Sequence, residues 1–138
     1  MTPDEIRDFL TREVHTGKLA SVRKDGQPHV APIWFVLDGD DILFTTWHTT
    51  VKSANLHHDP RVALSVDDEK PPYAFVLIEG TVTIQEKAPD LLYWATRIAG
   101  KYMGEELGEA YGKRNAVDGE LLVRLKPARI TAQKEIAA

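Results

Sequence analysis

The segment "KLASVRKDGQPHVAPIWFVLDGDDILFTT", Lys18 to Thr46, constrains this chain most. It holds three apolar-rich runs separated by two Asp-Gly pairs, Asp25-Gly26 and Asp38-Gly39. Asp-Gly between extended runs signals a hairpin, because the tight turn needs backbone angles that glycine adopts freely and Asp tolerates. The pattern predicts three strands, near 18–23, 28–37 and 41–46, running as a meander.

The rest of the chain extends that theme. A short helix is expected near 50–58, stopped by Asp59-Pro60, because a residue before proline is pushed out of the helical region. "RVALSVD" reads as a fourth strand and "EKPPY" as a loop. "AFVLIEGTVTIQE" reads as a long fifth strand, in which Gly80 marks a bulge or a barrel corner. At the N-terminus, "TPDEIRDFLTREV" is amphipathic, with Thr2 and Glu5 forming a capping box, Pro3 at the first helical position, and Ile6, Phe9, Leu10 and Val14 on one face. Gly17 should end it. A second long helix starts near Pro89, with an apolar stripe through Leu91, Leu92, Ala95, Ile98, Ala99 and Tyr102. Residues 104–119 read as a short helix plus loops, and "ELLVRLKPARITAQ" as one or two strands interrupted by Pro127. Many antiparallel strands and few helices give the expected class: mainly β, a small barrel with peripheral helices, one domain over 1–138.

Composition narrows the function. At 43% hydrophobic residues the chain can build a core. It has no cysteine, which excludes disulfides and zinc–thiolate sites. The formal charge of −4, with mixed signs along the chain, argues against nucleic acid as a partner. No apolar run approaches a membrane span, and the first residues lack the pattern of a signal peptide. A cytoplasmic protein is expected.

One local feature asks for an explanation. In "TTWHTTVKSANLHHDPRV" the helix carries Lys52 in its first turn, where backbone N–H groups already make the end positive. An anion placed there would meet free N–H groups, the lysine and the hydroxyls of Thr46, Thr49 and Thr50, a good phosphate cradle. No internal acid is evident for Lys52 in the surrounding sequence. A solvated lysine beside a threonine cap accounts for the same residues and is the commoner case.

Other candidates are less pointed. Trp34, Trp47 and Tyr73 suit the wall of a pocket for a flat ring, although aromatics more often fill cores. His15, His29, His48, His57 and His58 show no helical zinc spacing, and no metal is expected. His29 and His48 could donate a proton, but surface and capping roles are commoner. Glu79 is a lone carboxylate, the serines lie in no nucleophile elbow, and no Walker or Rossmann glycine pattern is present. Any enzymatic chemistry should therefore reside in a bound organic cofactor.

The order and spacing of "GKLASVRKDGQPHVAPIWFVLDGDDILFTT", "VKSANLHHDPRVALSV" and "YAFVLIEGTVTI" resemble the flavin-binding split β-barrel family. That family, also called the FMN-binding split barrel, includes pyridoxamine 5′-phosphate oxidase and smaller oxidoreductases that use the deazaflavin coenzyme F420. The resemblance runs from Gly17 to Ile84, more loosely beyond. It implies that Lys52 pairs with the cofactor phosphate, with Thr49 and Thr50 beside it and Asn55 supporting from the next turn. It implies that Pro32, Ile33 and Trp34 meet the polar edge of the ring system, with His29 at the start of that strand. Thr45, Thr46, Trp47 and His48 match the strand end lining the cofactor, and Tyr73 matches an aromatic that covers the ring from a partner subunit. A homodimer with cofactor sites at its interface follows from the same resemblance.

Two departures refine it. Val51 stands where the oxidases often carry an arginine, and no basic strand for a pyridoxal phosphate substrate follows "ARITAQKEIAA". The first implies a weaker or differently shaped phosphate grip, and the second points away from a true pyridoxamine phosphate oxidase; the short length and "TTVKSANLHHDPRV" are more similar to reductases that move a hydride from reduced F420 to a small unsaturated substrate. The alternatives are an FMN-binding flavin reductase and a binding protein without turnover. The proton that follows the hydride is expected from solvent, and less readily from His29, His48 or Tyr73.

Overall fold

The computed structural model describes residues 1–138. The elements in chain order are α1 (Pro3–Thr11), β1 (Gly17–Val22), β2 (Pro28–Ile33), β3 (Val36–Asp38), β4 (Asp41–Trp47), α2 (Val51–His58), β5 (Arg61–Asp68), β6 (Ala74–Gln85), α3 (Leu91–Met103), α4 (Glu105–Asn115) and β7 (Glu120–Gln133). The strands form one antiparallel sheet in the order β2-β1-β5-β6-β7-β4-β3.

That order decides the shape. The two edge strands, β2 and β3, are consecutive in the chain and are joined by Trp34 and Phe35 alone. Two linking residues reach at most roughly 11 Å. The sheet must therefore curl until its edges nearly meet, which gives a split barrel. This corrects the expected meander: the run 28–37 is not one strand but two, broken where the chain crosses from one edge to the other. β2 pairs only with β1, and β3 only with β4.

Two apolar clusters hold the fold. The barrel interior is filled by Leu19, Phe35, Phe44, Leu64, Val66, Val76, Ile78, Val123 and Leu125, among others, with Phe9 and Leu10 from α1 and Leu56 from α2. α1 lies at the β3–β4 turn, where Arg7 donates to the Gly39 carbonyl, and α2 follows the far end of β4. The two helices thus close opposite ends. Outside the barrel, Leu91, Trp94 and Ile98 of α3 cover Val36, Leu43 and Leu122. β4 is therefore buried on both faces at its centre, which is why "ILF" shows no alternation.

Several boundaries differ from expectation. α1 begins with the predicted Thr2/Glu5 capping box but ends at Thr11, leaving Val14 exposed, and Gly17 opens β1 instead of ending the helix. α3 begins at Leu91. Residues 105–115 form a full helix, α4, packed on α3. Its glycines permit the contact: a Cβ on Gly108 would lie 3.0 Å from the Gly100 Cα, and one on Gly112 would lie 2.8 Å from the Thr96 Cα. β7 is one strand of 14 residues despite Pro127. The expected Gly80 bulge explains this, because the β6–β7 register shifts between Glu79 and Gly80, and Pro127 sits opposite Gly80 in the irregularity.

Candidate functional site

Where the sheet splits, two strand edges are left without partners. β2 has no neighbour beyond β1, and β3 pairs with β4 only as far as Leu43, so the side of β4 at Thr45–Trp47 facing away from β7 is open. The crossing residue Trp34, 39% exposed, and the strand-end residue Trp47, 40% exposed, border this opening together with the exposed Val30, Pro32 and Val51. Exposed apolar side chains beside unpaired strand edges make this opening the candidate binding surface. Ile33, by contrast, points into the core and offers only its backbone.

α2 begins directly after β4. Thr50 is its N-cap and accepts from the Ser53 N–H at 3.1 Å. The Thr50 hydroxyl donates to the Trp47 carbonyl at 3.0 Å, so the Thr46 hydroxyl, 3.0 Å away, must be the donor of that pair. Both hydroxyl protons are thus committed internally, which corrects the picture of a cradle lined by three threonine donors. What remains free is different: the N–H groups of Val51 and Lys52 have no protein partner, Thr49 is exposed, and the buried Ser53 hydroxyl has no hydrogen-bond partner. A helix start with unpartnered N–H groups and a lysine fits a phosphate group.

Lys52 is half-buried, and burial lowers its pKa, opposed by the charge of Glu120. Burial in turn raises the pKa of Glu120, opposed by a hydrogen bond with Thr45 and by Lys52. Glu120, an acid not evident near Lys52 in the local sequence, acts on it through space and forms no direct ion pair with it. It opens β7 opposite Trp47 in the β4 ladder. Gly119 lies beneath the neighbouring turn: the His48 N–H donates to its carbonyl at 2.9 Å, and a Cβ there would come within 2.7 Å of Trp47 and 2.8 Å of His48.

The remaining predicted residues separate into three places. Asn55 is buried and donates to the Ser21 hydroxyl of β1 at 3.1 Å, so it braces α2 on the barrel and does not face the anion site. His29 lies opposite Ser21 in the β1–β2 register, and its Nδ1 is buried without a partner. His48 is exposed and packs 4.8 Å from Trp47. Tyr73 sits in the β5–β6 connection, at the far end of β5 from α2. There it borders a 320 Å³ pocket with α1 and the C-terminal residues Lys134 and Glu135. Within one chain it cannot reach Lys52.

Three residues shape the site without any local sequence signal for that role, Tyr102 being expected only as part of the apolar stripe of α3. Tyr102 stacks flat on Trp34, with ring centres 5.0 Å apart and planes 3° apart. Its hydroxyl accepts from the Phe35 N–H at 3.2 Å and donates to the His15 carbonyl at 2.8 Å. Lys101 donates to the Phe35 carbonyl at 3.1 Å. The crossing residue thus has both backbone groups held by α3. Glu120 is the third; an acid at the head of "ELLVRL" looks like an ordinary solvated strand end.

The sequence profile described as pyridoxamine 5′-phosphate oxidase matches residues 2–134. The chain belongs to this family. Its fold is the PNPOx-like split barrel, and a flavin-type cofactor is what the family binds. Among solved structures, a conserved hypothetical protein of Mycobacterium tuberculosis aligns over 100% of this chain and 89% of its own, with 26% identity and a TM-score of 0.84. An F420 reductase aligns over 90% of this chain and 94% of its own, with 28% identity and a TM-score of 0.71. HutZ, the heme storage protein of Vibrio cholerae, aligns over 94% and 92% at 17% identity and a TM-score of 0.73, a likeness of fold alone. No curated protein matches the chain. No helix is long and apolar enough to cross a membrane.

Proposed function

We propose that this chain, as a homodimer, binds coenzyme F420 and serves as a reductase for a small unsaturated substrate. The observation that carries the reading is the start of α2, where Lys52 and two unpartnered N–H groups adjoin the open edge of the split. The similarity to an F420 reductase over nine-tenths of the chain supports it. Lys52 and the Val51 and Lys52 N–H groups would hold the coenzyme's phosphate. Trp34, Pro32 and Trp47 provide apolar walls for a flat ring, and the unpaired edges of β2 and β4 offer backbone groups to its polar rim. A reduced deazaflavin, when bound, supplies a hydride from its C5. The protein's part is orientation and exclusion of water, the larger share of catalysis in such a site. Solvent or His48, beside Trp47, would deliver the proton that follows. Tyr73 would contribute only from a second copy, since its own barrel holds it at the other end.

Fluorescence titration with coenzyme F420, and separately with FMN, tests this. Tight F420 binding is expected, weakened about 10- to 100-fold by Lys52→Ala, the worth of a charge-assisted hydrogen bond. Unchanged affinity in a folded Lys52→Ala variant would remove the anchor. Tight binding of FMN alone would make the chain a flavoprotein instead.

A further inference from the structure

We infer that Glu120 sets the charge selectivity of the α2 site, favouring a singly charged phosphodiester over a doubly charged phosphomonoester. The inference deepens the coenzyme reading above. It rests on which charges meet at one place. Lys52 contributes one positive charge, and the α2 N-terminus contributes about half of one. Glu120 contributes one negative charge from the strand end opposite Trp47, where the His48 N–H donates to the Gly119 carbonyl and the chain turns into α2. The two groups are held in that relation. Glu120 is fixed by the β4–β7 ladder opposite Trp47, and Lys52 by the second position of α2. Gly119, packed against Trp47 and His48, leaves the chain before Glu120 little room to swing away.

The other titratable groups around Glu120 come from two sides. His48 lies on the β4–α2 turn. Lys87 and Asp118, of opposite sign, line with Glu120 a pocket of 360 Å³ beneath the start of α3. With Glu120 ionised, the site offers a net charge of roughly one half positive, and with a neutral residue there, roughly one and a half. A phosphodiester carries one negative charge, whereas a phosphomonoester carries nearly two at pH 7 or above. The first nearly matches the site as built, and the second overloads it. Because Lys52 and Glu120 are both half-buried, solvent screens their fields less than on an open surface.

Coulomb energy scales with ligand charge, so removing Glu120 should help a dianion by the square of the factor by which it helps a monoanion. For Glu120→Gln we expect about a threefold gain for coenzyme F420, a phosphodiester, and about a tenfold gain for FMN, a phosphomonoester. Glu120→Thr, also neutral and well suited to a strand, should do the same and covers the case in which one variant fails to fold. The same comparison with dimethyl phosphate and inorganic phosphate, followed by the shift of the Lys52 amide resonance, tests the site without any coenzyme. If both variants leave the monoester-to-diester ratio unchanged, the inference is wrong, whatever coenzyme the wild type binds. If the ratio changes with the simple phosphates while wild type ignores coenzyme F420, the inference stands and the coenzyme reading falls.

Discussion

Lys101 offers a quantitative test of how α3 is joined to the barrel. Its ammonium donates to the Leu10 carbonyl at 2.9 Å and the Phe35 carbonyl at 3.1 Å, and lies 4.0 Å from the centre of the Phe35 ring. Burial pulls its pKa down from 10.5 to about 8. The sign follows from proton counting. Between pH 8 and 10.5 the unfolded chain still holds this proton while the folded chain has released it, so stability rises with pH. The contribution is complete above 10.5 and is lost as pH falls through about 8. At roughly 1.4 kcal/mol per pH unit the ceiling is about 3 kcal/mol, and partial access to water reduces this to about 2 kcal/mol. Urea unfolding of wild type and Lys101→Met, followed by tryptophan fluorescence from pH 7 to 9.5, reads it directly. Methionine keeps the apolar stem and removes the charge. The stability difference between the two proteins should move in favour of wild type by about 1 kcal/mol over that range. Tyr102, pushed up to about 12 by burial, stays neutral in the fold while the unfolded tyrosine ionises near 10, a loss that largely cancels between the two proteins and sets the upper limit of the scan. At pH 7 the lost hydrogen bonds and the relieved burial of charge oppose each other, so the slope is the discriminating quantity. Parallel pH profiles would refute the reasoning.

Two further perturbations follow from the same geometry. Gly80→Ala would drive a Cβ into the Lys126 carbonyl oxygen, with the Pro127 Cα 3.2 Å away, and backbone cannot yield as a side chain does. We expect a loss of about 3 kcal/mol, read by calorimetry as a fall of roughly 10 °C in Tm, and a melt within a degree or two of wild type would contradict the bulge. Thr50→Ala removes the cap of α2 and strands the buried Thr46 hydroxyl, costing about 2 kcal/mol in urea unfolding, whereas Thr50→Ser should recover most of it.

The sequence carried the parts of the fold that depend on near neighbours. Thr2 and Glu5 announce a capping box, Asp38-Gly39 announces a hairpin, and Gly80 announces a bulge. What it could not carry were the effects of distant partners. Trp34 and Phe35 look like strand interior because their residue types suit a strand; only the sheet order makes them a crossing. Gly108 and Gly112 lower helix propensity, so α4 reads as loop until α3 is seen to need a close approach there. In the site, Lys52 and the helix start were legible because they are adjacent in sequence. Glu120 was not, because it lies 68 positions along the chain from Lys52 and only the β4–β7 ladder sets it opposite Trp47, just before α2. The threonines were legible as residues but not as donors, since which hydroxyl has a free proton depends on the Trp47 carbonyl.

The site and the split have one origin. A seven-stranded sheet whose edges are joined by two residues cannot pair those edges with each other along their full length, because the joining residues consume the register. Open edges are ordinarily a liability, since they invite pairing with any extended chain. Here the opening is bordered by Trp34, Trp47, Val30 and Val51, all partly exposed, and by the start of α2, whose N–H groups lack partners. The crossing itself is kept rigid by Lys101 and Tyr102, which satisfy the two backbone groups of Phe35 that a neighbouring strand would otherwise have satisfied. Under the proposed function, a flat ring with a phosphate arm and a second copy of the chain would together cover what one chain leaves bare. The reading thus ties stability to binding: ligands that fill the opening should protect the amides of Val51 and Lys52 from exchange before those of the barrel interior, which are already paired.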